Sequence, residues 1–575
     1  MLSFALPALL VGAVGAPRLS AGMFTISDTL ALLVAGAPWD AAHLAARAFL
    51  PVLASSAVVT LLGPRLCTLA QSQTVQREHA PRQAGGRVAP RPGSVGSATL
   101  GRTVSELPGP SGPPRSTSPG WSGRGGPGHA PERMLAAPRV PPHVNPFDVS
   151  RPYAAVMSLA LGLALLPGLG IGLLLVLIAG LRVPLAVAWP QLAQAHGQVQ
   201  ALGFTLLFIV AVGLQLFPRF LGTPLRNAPA AVWGAGGIAM ALLARLAGQP
   251  LEPGLARSIL LTIAAVGLPV GAIGAGSAFH GLTRERASSA TGAEAWRRFA
   301  ALGGIALGCA LALSIWAGVD LALGELVVPQ GLDEALIHLE LTGFATCLVF
   351  AVSSRVFGRF LLLNTRPEFE RRIPLLAVVW GSGLLLVTLG WLLEPTWASW
   401  VRWAGALVEL GGLGTWVWLI GLYAPPVRPS GTPYVTNPTR RWIRLAFAFL
   451  VLGLALDVGL FGREVVYGVP PAATELSAAR HALAQGFLLP LMVAMAARLL
   501  PVLSADVLKH RLRLEITVDL LLVGALVRVV AEVTGGYGLL AGPLVAVGGT
   551  LGVAGFALFA LGLGGSLRRL PGLHA

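Results

Sequence analysis

From Tyr153 onward the chain alternates long apolar runs with short polar connections. Such runs lie near residues 153–181, 192–217, 229–248, 257–280, 299–323, 334–356, 373–393, 398–424, 441–462, 478–500, 515–535 and 539–566. A helix needs about 20 apolar residues to cross a hydrocarbon core of roughly 30 Å. The pattern therefore predicts an all-α, polytopic membrane helix bundle with twelve transmembrane helices over residues 149–570. The first 148 residues follow another pattern. Residues 1–71 contain two apolar pieces, Leu2 to Gly15 and Ala48 to Gly63, the second broken by Pro51. They fit short spans or a small helical domain equally well, and with no charged segment before it the first makes a poor signal peptide. Residues 72–148 turn to Pro, Gly, Ser and Arg and cannot bury enough apolar surface to offset their ordering entropy, so they read as a disordered linker.

Composition agrees with the pattern. Hydrophobic residues make up 54% of the chain and charged residues only 11%, against roughly a quarter charged in a soluble domain. The net charge of +16 would suit nucleic acid if it were clustered, but the arginines are scattered between apolar runs. Lys509 is the sole lysine, a bias expected of a GC-rich bacterial genome. Alternate connections hold most of the basic residues: Arg219 and Arg226; Arg284, Arg286, Arg297 and Arg298; Arg355 to Arg372; Arg428 to Arg444; Arg498 to Arg513; Arg568 and Arg569. Arginine is retained on the cytoplasmic side. This predicts a bacterial inner-membrane protein whose core has both ends in the cytoplasm, a partner of the lipid bilayer and not of nucleic acid. The cysteines, Cys67, Cys309 and Cys347, form no CxxC or CxxCH motif, which leaves zinc ribbons, dithiol chemistry and covalent haem attachment without support.

Three spans resemble one another. The second begins at His196 (HGQVQALGF), the sixth at His338 (HLELTGF) and the tenth at His481 (HALAQGF). The last two share H-x4-G-F-x10-R, through Gly343, Phe344 and Arg355 and through Gly486, Phe487 and Arg498. The first has two additional residues before Gly203-Phe204 and Gln215 in place of the arginine. Phe204, Phe344 and Phe487 are 140 and 143 residues apart, so the bundle resolves into three four-helix repeats. The three histidines are expected at similar depth in the outer part of the bilayer. The arginines lie about 25 Å further along at 1.5 Å per residue, where snorkelling and the charge bias explain them.

An ionisable side chain inside lipid marks a pathway, a partner or a ligand site. One interhelical hydrogen bond would account for a single histidine. Three at matching repeat positions favour metal or haem ligation, and a bis-histidine pair gives a low-spin, electron-transferring iron. Gly343 and Gly486 would admit either a flat macrocycle or a neighbouring helix. Arg480 would pair with a haem propionate or sit solvated in a connection. Glu340, two residues beyond His338, belongs to the opposite helix face. Asp457 and Arg528, both in outer halves of spans, are candidates to neutralise each other.

Twelve spans with histidines on the second, sixth and tenth resemble subunit I of the haem-copper oxidases. In that family the histidines of spans two and ten bind the low-spin haem and span six supplies a copper ligand. The chain departs from that pattern: the seventh span has no histidine pair, the tenth no second histidine, and no tyrosine follows His338 at cross-link spacing. The H-x4-G spans followed by arginine are more similar to the NnrS family, twelve-span bacterial membrane proteins that bind haem and copper and are linked to nitric oxide. That resemblance covers about residues 150–570. It implies b-type haem held by His196 and His481 with Arg480 at a propionate, copper or a second haem at His338, and nitric oxide as a ligand in nitrosative-stress metabolism. Whether such a protein is an enzyme stays open, because two histidines close both axial positions of the iron. The competing class is a cofactor-free twelve-span transporter, which would purify colourless. GLGIG at Gly168 to Gly172 lies inside the first span and is no nucleotide-binding loop.

Overall fold

The computed structural model describes residues 149–181, 189–280, 282, 295–393, 395–425, 437–504, 511–534 and 541–567. The expectations for segments 1–71 and 72–148 lie outside these residues. The described residues form twelve helices: α1 (150–181), α2 (189–221), α3 (Ala228–Gly248), α4 (Leu255–Ser277), α5 (Ala295–Ala322), α6 (330–360), α7 (Phe369–Leu392), α8 (Pro395–Ile420), α9 (Asn437–Tyr467), α10 (473–504), α11 (Arg511–Thr534) and α12 (Ala541–Leu567). Each coincides with one apolar run. Eleven are long and apolar enough to cross a membrane. The twelfth, α11, carries Glu515, Asp519, Arg528 and Glu532 within the same stretch. α9 continues past the expected end at 462 because Arg463 and Glu464 find partners. Arg463 pairs with Glu475 at 2.5 Å and Glu464 with Arg402 at 2.6 Å.

Burial separates the helices into two layers. In α2, α6 and α10 the most apolar stretch is 83%, 72% and 72% buried, against 28–50% for the other eight spans. The three repeat-bearing helices therefore form an inner ring, and the remaining nine surround it. Apolar attraction between helices is weak in lipid, so close backbone approach has to supply association. The most extensive pairings are α3–α4, α7–α8 and α11–α12, the last two helices of each repeat. Glycine seats them. A Cβ at Gly234 would sit 2.1 Å from the Ala275 backbone nitrogen, so Gly234→Ala must push α3 off α4. We expect a stability loss at or above the 1–3 kcal/mol typical of overpacking, read as a lower thermal midpoint of detergent-solubilised protein. A midpoint equal to wild type would contradict this packing.

A feature absent from the apolar pattern is a π-helical segment in each inner helix, at Val199–Leu206, Leu339–Ala345 and Ala482–Leu488. Each begins four residues before the glycine of Gly-Phe. A π turn inserts one residue into the ladder and disturbs its hydrogen bonds; in α6 the Thr346 hydroxyl repairs one by donating to Leu341 O at 2.8 Å. The glycines serve helix packing. A Cβ at Gly343 would lie 2.8 Å from Ala306 of α5, and one at Gly486 would run into Phe449 of α9. The expected arginines also make contacts within the ring: Arg355 of α6 stacks over Phe220 of α2 at 5.4 Å, and Arg498 of α10 over Phe360 of α6 at 5.5 Å.

Candidate functional site

The Gly-Phe pair fixes a common register for the inner helices. Five residues before the glycine stand Gln198, His338 and His481. His196 lies two residues earlier, and at about 100° per residue it points away from the Gln198 direction. The three histidines therefore do not share one repeat position, as their order in the sequence suggested. Gln198 takes the first histidine's place, and His196 faces the other side of α2.

His196 looks toward α1. Its Nδ1 is 2.7 Å from the Gly168 carbonyl, in the π turn of α1 that contains Pro167. Its ring lies against Gly172, where a Cβ would come within 2.5 Å of Cε1. His481 of α10 is held similarly. Its Nδ1 is 2.8 Å from the Ser477 carbonyl and 3.1 Å from the Ser477 hydroxyl, with a Glu532 carboxylate oxygen at 3.5 Å. Glu532 in turn accepts from Ser477 at 3.0 Å and from Arg528 at 2.9 Å. The imidazoles of His196 and His481 are close enough to interact electrostatically, and Arg528 also acts on His196. In both histidines Nδ1 is engaged, and no hydrogen bond reaches Nε2 among the described residues. A carbonyl at Nδ1 selects the tautomer whose Nε2 lone pair is available to a metal. The π segment of α6 touches those of α2 and α10, whereas α2 and α10 make no comparably close approach among the described residues.

His338 belongs to the cleft between α6 and α10. It uses Nε2, bonded to Glu409 of α8 at 2.9 Å, and both side chains are almost fully buried. A cavity of about 30 Å³ opens beside it, bordered by Glu334, Asp457 and Arg480. Arg480, expected near a propionate of a haem at His481, instead pairs with Glu334 and, at 3.5 Å, with Asp333, both on α6. One residue along α10 turns it by about 100°, out of the His481 cleft and into this one. Asp457 likewise borders the His338 cavity, and the expected Asp457–Arg528 pair does not form; Arg528 is taken by Glu532. Among the described residues no three His, Cys, Asp or Glu side chains converge to hold a metal ion. One imidazole bound to one carboxylate does not make a copper site, which calls for further nitrogen or sulfur donors.

The third cleft, between α2 and α6, is lined by polar groups without histidine. Gln198 donates to Glu340 at 3.0 Å, so Glu340 does face away from His338. Arg245 donates to Gln249 at 3.1 Å, and Gln249 to Gln194 at 3.0 Å. Sequence reasoning missed Glu532, Ser477, Asp333 and Glu334. The only signal for them was the spacing Ser477 to His481, one helical turn.

The sequence matches no protein-family model and no curated protein. Among solved structures it is similar to one described as the cryo-EM structure of a haem-copper terminal oxidase dimer. The TM-score is 0.54 and the identity 15%, over 73% of this chain and 84% of that one. Identity this low shows the fold alone. The chain is a multi-pass membrane helix bundle whose fold is similar to that of the oxidase.

Proposed function

We propose that this chain is a haem-binding membrane protein of NnrS type, acting in nitric oxide or nitrosative-stress metabolism at the bacterial inner membrane, with both ends of its core in the cytoplasm. The observation that carries the reading is the pair His196 and His481. They come from the two inner helices that stand apart, and each Nδ1 is committed while Nε2 is left for iron. Ligation by two imidazoles makes haem iron a low-spin centre suited to electron transfer. The remaining groups orient and neutralise. Gly168 O fixes the His196 ring, and Ser477 with Glu532 fixes that of His481. Arg528, partly balanced by Glu532, takes over the propionate-neutralising role first assigned to Arg480, whose charge Asp333 and Glu334 already absorb. Copper at His338 is not part of the reading.

The test is the absorption spectrum of purified full-length protein. Wild type is expected to show a Soret band that shifts on reduction. His196→Ala and His481→Ala should each lose most of the bound haem, and His338→Ala should leave the band unchanged. A colourless wild type that moves a substrate across vesicles would favour the transporter instead.

A further inference from the structure

A second cavity lies on the axis of the inner ring, between the π segments and the arginine–phenylalanine contacts. It measures about 100 Å³ and is walled by α2, α6 and α10 together. The wall obeys the repeat. Phe208, Leu348 and Leu491 stand five residues after the respective glycines, and Val212, Val352 and Met495 nine residues after them. The one hydroxyl on the wall, that of Ser353, donates back to the Val349 and Phe350 carbonyls of its own helix. No polar group on this wall is left to hold water, which needs two to four partners in a buried site. An apolar cavity of roughly 150 Å³ stays dry and takes up benzene or xenon.

We propose that this axial cavity is a holding chamber for small apolar gas molecules, the neutral diatomic gases and their noble-gas analogues. Such gases dissolve in hydrocarbon more readily than in water, so the bilayer is their source. The chamber is walled by near-equivalent positions of three helices, beyond the π segments, and it needs no prosthetic group to form.

Xenon serves as the probe. Crystals of the full-length protein pressurised with xenon are expected to show an anomalous peak between Phe208, Val352 and Met495. Val352→Phe and Val212→Phe, two separate ways of filling the space, should each abolish that peak while keeping the wild-type absorption spectrum. Absence of a peak in wild type would overturn the proposal. So would an undiminished peak in both variants, or continuous acyl-chain density along the axis. The haem reading is judged by absorption alone, so either can fail without the other.

Discussion

Replacing Gly172 with leucine is expected to remove haem while leaving the bundle folded. Gly172 is on α1, distant in sequence from both proposed ligands, and its role is to be empty. A Cβ there would lie 2.5 Å from Cε1 of His196 and 3.1 Å from each ring nitrogen. The obstacle is a side chain that can swing, not a backbone, so the helices keep their places and the imidazole moves. His196 then loses the Gly168 carbonyl that commits its Nδ1. Disturbing groups that orient a metal ligand costs about 10–100-fold in affinity. The leucine variant should reach the upper part of that range and the alanine variant the lower. Haem per protein, measured by absorption against a thermal melt, separates this from misfolding. Full haem occupancy in Gly172→Leu would show that the His196 ring is not held where the structure has it.

Arg402→Leu is expected to produce the largest loss of stability. The guanidinium is buried and held through its two terminal nitrogens: they donate to Gly390 O at 2.7 Å and to both Glu464 oxygens at 2.6 and 2.7 Å, and the group lies 4.4 Å from the Trp391 ring centre. Removing one member of a buried pair strands the other and costs about 3–5 kcal/mol. Replacing both members with apolar groups is far milder, so Arg402→Leu/Glu464→Leu should be more stable than Arg402→Leu alone. Thermal midpoints of the two variants decide it. If the double variant melts lower, the pair is not what anchors α8 to α9 and α7.

The twelve spans and their grouping by four were legible because the bilayer imposes a length on every helix and glycine-phenylalanine recurs in three of them. The candidate ligands His196, His338 and His481 were legible as ionisable residues in apolar runs. Their facing was not, because a two-residue offset reverses a side chain and only the Gly-Phe register reveals which histidine is displaced. Partnerships were also hidden. Arg480 meets Asp333 across 147 positions of sequence, and His338 meets Glu409 across 71. Such pairings depend on which helices become neighbours, information that period and spacing do not carry. The π turns left no compositional trace, since one inserted residue changes neither hydropathy nor length enough to notice.

Because α2 presents His196 to one side and Gln198 to the other, it behaves as a party wall between two chambers that share masonry but not furniture. The same holds for α6, with His338 and Glu340 back to back. Drift in one compartment therefore does not force change next door, and an ancestral triplication would have been free to specialise each third at its own pace.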